Sequence, residues 1–345
     1  MSRHATLRSE WKAWAALVAW MCCVLLSTAS AKDKVASAAL VWPAPPEEPR
    51  LTFVQTISEP GDLGLKSGGF SRFANWLLGT GKGHNKLVKP FGIALDEADN
   101  LCITDTGANV VCFFDAAKKK WMQWESVGKI RFASPVAVAK RGDTLYVADS
   151  MLASVVVFNT SGKLLFEIKK GIERPVGLTI SGEKLFVVDS QASRVVVFDL
   201  RGNLLSQFGK RGGDDGEFNF PTHIAADPRG GVLVTDSMNG RIQLFDADGR
   251  FQGRIGSTGD STGHFGRAKG VAEDSFQHVY VLDAMFDNLQ IFDRQGRILL
   301  SIGEAGGARG EFWLPNGIAI SRDNRIFITD SYNRRIQVLK YVGGK

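Results

Sequence analysis

The 345-residue sequence predicts an all-β fold, a six-bladed β-propeller of four-stranded antiparallel blades. Three observations support this prediction. A unit of short β-rich runs occurs six times, its central runs are continuously apolar, and its sixth copy lacks an outer run that an earlier segment could supply. Repeats of this length are typical of propellers, because radial stacking buries the faces of sheets that could not fold alone.

The most regular element of the unit is a short β-rich run that ends in aspartate. Successive aspartates are 44, 40, 47, 47 and 47 residues apart. A Pro-x-small-apolar element precedes each run, with Ala in place of Pro in the fifth copy, and a third β-rich run follows. The six aspartates are Asp105, Asp149, Asp189, Asp236, Asp283 and Asp330.

The runs after these aspartates indicate that both faces of each sheet are covered. Residues 155–158 and 195–198 read VVVF without polar interruption, whereas a strand with one wet face would alternate. The predicted blades cover about 90–131, 132–171, 172–209, 218–256, 265–303 and 312–341.

Ring closure follows from the incomplete sixth unit. It ends at its third run, and residues 51–57 (LTFVQTI) resemble the fourth run of the other units. We therefore expect the two ends of the domain, residues 51–345, to share one blade, which removes an exposed sheet edge.

The repeat wording resembles the NHL-repeat family, in particular exported bacterial-type members. Residues 235–246 (TDSMNGRIQLFD) and 329–341 (TDSYNRRIQVLKY) carry the resemblance, which extends over residues 90–341. It implies a six-bladed propeller. NHL propellers of tripartite-motif ubiquitin ligases bind RNA or proteins, but their ligase activity needs a Cys/His zinc module for which this sequence has no matching spacing.

The N-terminus has the pattern of a signal peptide over residues 1–31. A basic stretch, an apolar stretch and Ala29-Ser30-Ala31 follow in order, which predicts export to the periplasm or beyond. An uncleaved membrane anchor and a lipoprotein are the alternatives, and an uncleaved N-terminus is the one membrane contact that we expect. Residues 32–50, with WPAPPEEP at 42–49, predict a stiff Pro-rich linker.

An insertion at 58–89 separates strand 51–57 from the first repeat. Phe70, Phe73, Trp76 and Leu77 have helical spacing, which predicts a short helix packed on the propeller. Contact of this segment with a membrane or partner is the alternative.

The charge pattern argues against nucleic-acid binding. Formal net charge is +6, and only Lys118–Lys120 and Lys169–Lys170 form basic clusters. Nucleic-acid proteins concentrate Lys and Arg on one face, so RNA binding is a secondary alternative.

Cys102 and Cys112 are the cysteines outside the N-terminal segment. A hairpin in which paired residue numbers sum to about 214 would set them opposite each other. The sequence therefore allows a disulfide in an exported protein, with two small apolar core residues as the alternative.

The repeated aspartates are predicted to be structural. Each occupies the same turn, where a carboxylate accepts hydrogen bonds from backbone N–H groups. Arg194, Arg241 and Arg335 each follow their aspartate by five residues and could pair with it.

Positions just after the aspartates predict a binding surface. Three methionines lie two residues past their aspartate, and these turns share a face with the connections between blades. The candidate partner-binding residues are Met151, Leu152, Met238, Met285, Phe286, Tyr332 and His223. Such a soft apolar ring suits a protein partner, unless neighbouring loops cover it.

A catalytic channel is the less favoured interpretation. The positions expected to face it are Gly92, Ala137, Gly177, His223, Gly270 and Gly317, so one histidine replaces the several that propeller lyases use to hold metal. We expect no cofactor, no metal and a non-catalytic binding scaffold. The alternative is a metal-dependent hydrolase or lyase near His223.

Overall fold

The computed structural model describes residues 39–65 and 86–343, which form a six-bladed propeller as predicted. The innermost strand of each blade contacts the innermost strand of the next, and the sixth contacts the first, which closes the ring. The first blade begins only after a hairpin, β1 (Val41–Trp42) and β2 (Leu51–Ile57), and a 3-10 helix (Pro60–Leu63).

The following strands belong to the first three blades. Blade 1 consists of β3 (Pro90–Leu95), β4 (Leu101–Asp105), β5 (Val110–Asp115) and β6 (Lys120–Trp124). A small hairpin follows, β7 (Ser126–Val127) and β8 (Ile130–Arg131). Blade 2 contains β9 (Pro135–Arg141), β10 (Thr144–Asp149), β11 (Ser154–Asn159) and β12 (Leu164–Ile168). Blade 3 contains β13 (Pro175–Ser181), β14 (Lys184–Asp189), β15 (Arg194–Asp199) and β16 (Leu204–Phe208).

The remaining strands complete the ring. Blade 4 contains β17 (Pro221–Ala226), β18 (Val232–Asp236), β19 (Arg241–Phe245) and β20 (Phe251–Ile255), with a 3-10 turn at Ser237–Asn239. Blade 5 contains β21 (Ala268–Glu273), β22 (Val279–Asp283), β23 (Asn288–Phe292) and β24 (Ile298–Ile302). Blade 6 contains β25 (Pro315–Ile320), β26 (Arg325–Asp330) and β27 (Arg335–Tyr341).

The early strand β2 completes blade 6, which confirms the predicted closure. It pairs antiparallel with β27 from Leu51 opposite Tyr341 to Ile57 opposite Ile336. Both Leu51 and Ile57 are fully buried. The outer edge of the last blade is therefore covered by a strand nearly three hundred residues earlier in the chain.

The Pro-rich stretch belongs partly to the fold, which corrects the expected linker. Val41 and Trp42 pair with Thr52 and Leu51, so β1 adds a fifth strand to blade 6 and the prolines occupy the hairpin loop. From residue 41 onward this segment is an edge of the propeller. The predicted signal peptide (1–31), the first part of the linker and the insertion helix at 70–77 lie outside the described residues.

Cys102 and Cys112 are buried core residues with free thiols, which is the alternative to the disulfide that the sequence allowed. The β4–β5 register places Cys102 opposite Phe113 and Cys112 opposite Ile103. Side chains alternate between the faces of a strand, so this one-residue offset turns the two thiols to opposite faces. Each packs in a different apolar layer between blades, and burial raises the pKa of both thiols.

Candidate functional site

Each repeated aspartate joins its own turn to the connection that enters the same blade. Asp149, for example, accepts hydrogen bonds from the backbone N–H groups of Ala133, Ser134, Met151 and Leu152 at 2.8–3.1 Å. All six carboxylates are buried. The carboxylates therefore stabilise the face where the inter-blade connections lie. They also hold the candidate binding turns in a fixed conformation.

Three arginines pair with these aspartates across the following hairpin. All three guanidinium groups also donate to carbonyl oxygens of the incoming connection. Arg194 bonds Gly171, Arg241 bonds Asp214 and Glu217, and Arg335 bonds Gly307, Ala308 and Glu311. The pairs are Arg194–Asp189 at 3.5 Å, Arg241–Asp236 at 2.9 Å and Arg335–Asp330 at 2.7 Å.

Three long Gly-rich connections lead into blades 4, 5 and 6 and have the same internal structure. Each carries a fully buried phenylalanine, and a Cβ added at Gly209 would lie 2.3 Å from the ring of Phe218. Gly209 also has a φ of 88°, so glycine is required there for both space and backbone conformation. The phenylalanines are Phe218, Phe265 and Phe312.

A buried glutamine holds each of these connections in place. Gln243 accepts a hydrogen bond from the Gly216 N–H at 2.9 Å and donates to the Glu217 carbonyl at 2.7 Å. Gln290 and Gln337 make the equivalent pairs in blades 5 and 6. These glutamines were not among the candidates from the sequence, although a pattern there points to them. Glutamine occurs seven residues past the aspartate only in the three repeats that have a long connection.

The turns after the aspartates present large apolar side chains to solvent. We call the end of the propeller that carries these turns and the inter-blade connections the loop face. The exposed fractions are 74% for Met151, 62% for Met238, 64% for Met285 and 46% for Tyr332. Neighbouring loops therefore leave these four side chains accessible. Leu152 is only partly exposed because it packs against the layer between blades 1 and 2, and Phe286 is also partly buried.

The connections add exposed apolar residues that the sequence did not single out. Trp313 is 54% exposed and its ring lies 5.7 Å from that of Tyr332, while Phe220 and Val88 are 44% and 45% exposed. Each lies one or two residues before the proline that opens an inner strand. The Tyr332 N–H donates a hydrogen bond to the Trp313 carbonyl at 3.2 Å, so this turn lies directly beside its connection.

Basic groups border this apolar surface near the axis. The Lys89 ammonium lies 4.8 Å from the Tyr332 ring centre, and the Arg174 guanidinium lies 6.0 Å from that of Phe220. Arg267 occupies the equivalent position at the start of blade 5 and is exposed. The loop face thus combines apolar side chains with positive charge.

His223 lies at the centre of the channel, near its loop-face end. Its ring stacks on Phe91 with 6.4 Å between ring centres, although these residues belong to blades on opposite sides of the ring. Its Nε2 lies 3.1 Å from Asn316 Nδ2, which also donates to the Phe91 carbonyl at 3.3 Å. Burial, with the nearby Lys269 ammonium, lowers the pKa of His223 to about 3, so the ring is neutral.

The glycines expected to line the channel instead allow the inner strands to approach each other. A Cβ at Gly92 would lie 2.5 Å from the Val136 carbonyl oxygen, and one at Gly317 would lie 2.5 Å from that of Phe91. Gly177 and Gly270 face the next blade in the same way. Close backbone packing between blades, rather than an open channel wall, explains the repeated small residue.

Toward the opposite face the channel widens into a cavity of about 580 Å³. Its wall is apolar midway along, with Ile93, Val138 and Ile318 among the lining residues, and charged at the rim. In the described part of the chain, no three His, Cys, Asp or Glu side chains are grouped so that they could hold a metal ion.

Comparison with known proteins identifies the architecture. The family DUF5128, described as a 6-bladed beta-propeller, matches residues 270–342. The search of curated proteins returned no match. Over residues 39–65 and 86–343, no helix has both the length and the apolar character needed to span a bilayer.

Several solved structures share the fold. A virginiamycin B lyase from Staphylococcus aureus is 12% identical, with a TM-score of 0.54 over 74% of this chain and 96% of the lyase. A Bacteroides thetaiotaomicron protein of unknown function is 14% identical, with a TM-score of 0.60 over 84% and 75% of the two chains. An auxiliary nutrient binding protein from the same organism is 15% identical, with a TM-score of 0.58 over 74% and 70%. The chain is therefore similar in fold to proteins that include a lyase and a nutrient binding protein, and at these identities the likeness shows the fold alone.

Proposed function

We propose that this protein is a non-catalytic binding scaffold that engages a protein partner through its loop face. The observation that carries the proposal is the group of exposed apolar side chains on rigid turns. Large apolar groups that share one face of a soluble protein mark interaction surfaces, and methionine adapts to varied partner shapes. The residues are Val88, Met151, Phe220, Met238, Met285, Trp313 and Tyr332.

The chemistry of the face favours a protein over RNA. Seven large apolar side chains are exposed there, and the basic groups are dispersed around the axis instead of forming a continuous stripe. Protein interfaces are enriched in Met, Trp, Tyr and Phe, with charges toward the rim. We infer a partner surface that combines apolar residues with carboxylates, which the groups near Lys89, Arg174 and Arg267 would attract.

Affinity capture with matched variants tests the proposal. A triple variant with Met151, Met238 and Met285 changed to Asp should lose proteins that the wild type recovers from soluble and membrane extracts. The control triple variant changes Val54, Leu165 and Leu204 to Asp, because these side chains are also exposed but lie on outer strands. Equal recovery by wild type and the loop-face variant would contradict the proposal.

Two further measurements address the alternatives. RNA binding predicts recovery that is sensitive to ribonuclease and falls steeply with salt. A channel hydrolase or lyase near His223 predicts stoichiometric metal in the purified protein.

Export, which residues 1–31 predict, is tested by the mass of the mature chain, which should begin at Lys32 if the signal is removed after Ala31.

A further inference from the structure

The strands that open blades 4 and 5 hold three polar groups with no partner. The Nδ1 atom of His223 and the Oγ1 atom of Thr222 are both buried without a hydrogen bond. Lys269, which corresponds to Thr222 in the next blade, is partly exposed, and its ammonium makes no salt bridge or hydrogen bond within the described residues. Buried polar groups are normally satisfied, so the two unpartnered atoms, with an unpaired ammonium near His223, indicate a site for another molecule.

The imidazole tautomer defines what His223 needs. Asn316 Nδ2 can only donate, so Nε2 of His223 accepts that bond and the neutral ring carries its proton on Nδ1. The proton position is inferred from this bond. Nδ1–H is therefore a donor that requires an acceptor.

Lys269 lacks the carboxylate partner that three deeply buried cations of the protein have at short distance, as buried charges usually do. No carboxylate contributes to the pKa of Lys269, which burial and the Arg267 guanidinium lower to about 8. The neutralised pairs are Lys140–Asp96 at 2.8 Å, Arg241–Asp236 at 2.9 Å and Arg294–Glu273 at 2.6 Å.

We propose that the loop-face end of the channel binds a carboxylate through the Lys269 ammonium and the His223 Nδ1–H. A monoanion matches the charge, because the site holds one ammonium and a neutral ring, with Arg267 at the rim. Thr222, directly before His223 in the chain, supplies a further hydroxyl donor. This site rests on the unpartnered Nδ1 of His223 and Oγ1 of Thr222 and does not depend on the proposed protein partner.

The carboxylate could belong to a small organic acid or to the C-terminus of a polypeptide. Calorimetric titrations with benzoate, with a short peptide that has a free C-terminus and with the same peptide amidated distinguish these sources. We expect saturable binding of at least one free carboxylate, no binding of the amide, and a shift of the His223 imidazole NMR signals. The tighter of the two carboxylate probes identifies the source.

Substitutions test whether the named groups bind the anion. Lys269→Met should weaken carboxylate binding at least tenfold without loss of thermal stability, because it removes a partly buried charge that has no carboxylate partner. Thr222→Val should weaken binding several-fold while it keeps or raises stability, because the hydroxyl has no partner to lose. The control is Lys170→Met, an exposed lysine outside the channel, which should bind as the wild type does.

Three results would overturn the proposal. One is that no free carboxylate saturates the protein at millimolar concentration. Another is that Lys269→Met binds as tightly as Lys170→Met. The third is that inorganic phosphate binds more tightly than either carboxylate, which would assign the site to a different anion.

Discussion

At the scale of single residues, the repeated aspartate is the group that holds each loop-face turn. The buried carboxylate of Asp149 accepts hydrogen bonds from four backbone N–H groups, so it joins a turn to the connection before it. The same residue type in an enzyme would need to reach a substrate. Here burial among N–H groups leaves it a structural task, and the turns that it holds carry the exposed methionines.

Replacing one of these carboxylates should destabilise the protein. Asp149→Asn removes the charge and replaces one acceptor with a donor that faces backbone N–H groups. We expect a loss of about 2–3 kcal/mol in the free energy of unfolding, measured by urea denaturation. Asp260→Asn is the control, since that side chain is exposed and makes no hydrogen bond, and should change stability by less than about 0.5 kcal/mol. An equal effect of the two substitutions would contradict the structural role.

His223 should make stability depend on pH. Its folded-state pKa of about 3 lies below the ordinary value of 6.5, so acid favours the unfolded chain as pH falls below 6.5. The stabilisation is complete above that pH and decreases until about pH 3. Between pH 7 and 5, His223→Gln should lose about 2 kcal/mol less stability than the wild type, as measured by urea denaturation at both pH values. Parallel pH profiles for the two proteins would refute the burial of a neutral ring.

At the scale of elements, the long Gly-rich connections act as ordered parts of blades 4 to 6. Each contains an isolated bridge, such as that between Arg211 and Phe218, and each is held by a glutamine from the third strand of its blade. Repeats without a long connection place a cysteine or valine at that position, for example Val196. The long connection and the glutamine therefore occur together because the glutamine side chain bonds the backbone of the connection.

Gln243, Gln290 and Gln337 each hold a long connection in place. Replacing one of them with the valine found in repeats without a long connection should release that connection. Gln243→Val leaves the Gly216 N–H without its partner and removes one of the two donors to the Glu217 carbonyl, since Arg241 is the other. The expected cost is about 1–3 kcal/mol of stability, with faster amide hydrogen exchange in residues 209–220. Gln252→Val, on an exposed outer strand, provides the control. If exchange in residues 209–220 stayed as slow as in the wild type, Gln243 would not be what holds this connection in place.

At the scale of the whole molecule, the ring depends on pairing between its two ends. Strand β2 covers the edge of β27, and Leu51 joins the apolar layer between blades 5 and 6. An uncovered edge strand presents a row of free backbone groups to other chains. Closure therefore provides stability and also prevents edge-to-edge association.

Deletion of residues 51–57 should unfold or aggregate the domain. Size-exclusion chromatography and thermal unfolding measure the outcome. The control replaces residues 45–48, in the loop between β1 and β2, with an equal length of Gly and Ser and should remain monodisperse. A deletion variant that eluted and melted like the wild type would refute closure by β2.

How much could be predicted from sequence depended on the range of the signal. The blade count, the turn aspartates and the apolar strands are local and repeat six times, so errors in one copy are corrected by the others. The Cys102–Cys112 pairing failed because a register one residue away from the expected value reverses the faces of a strand. Periodicity predicts where the strands lie, but it does not determine their pairing register to within one residue.

The sequence by itself determined the six blades, their closure and the face on which the methionines lie, because each follows from comparison of the repeated units. Only the tertiary structure decided how the channel is filled. His223, Phe91 and Asn316 meet there across 93 and 225 residues of chain. It also decided which side chains stay exposed on the loop face and that, among residues 39–65 and 86–343, Lys269 has no carboxylate partner. These features depend on the curvature of the closed ring, which sets the distance between opposite blades and is not encoded in any single repeat.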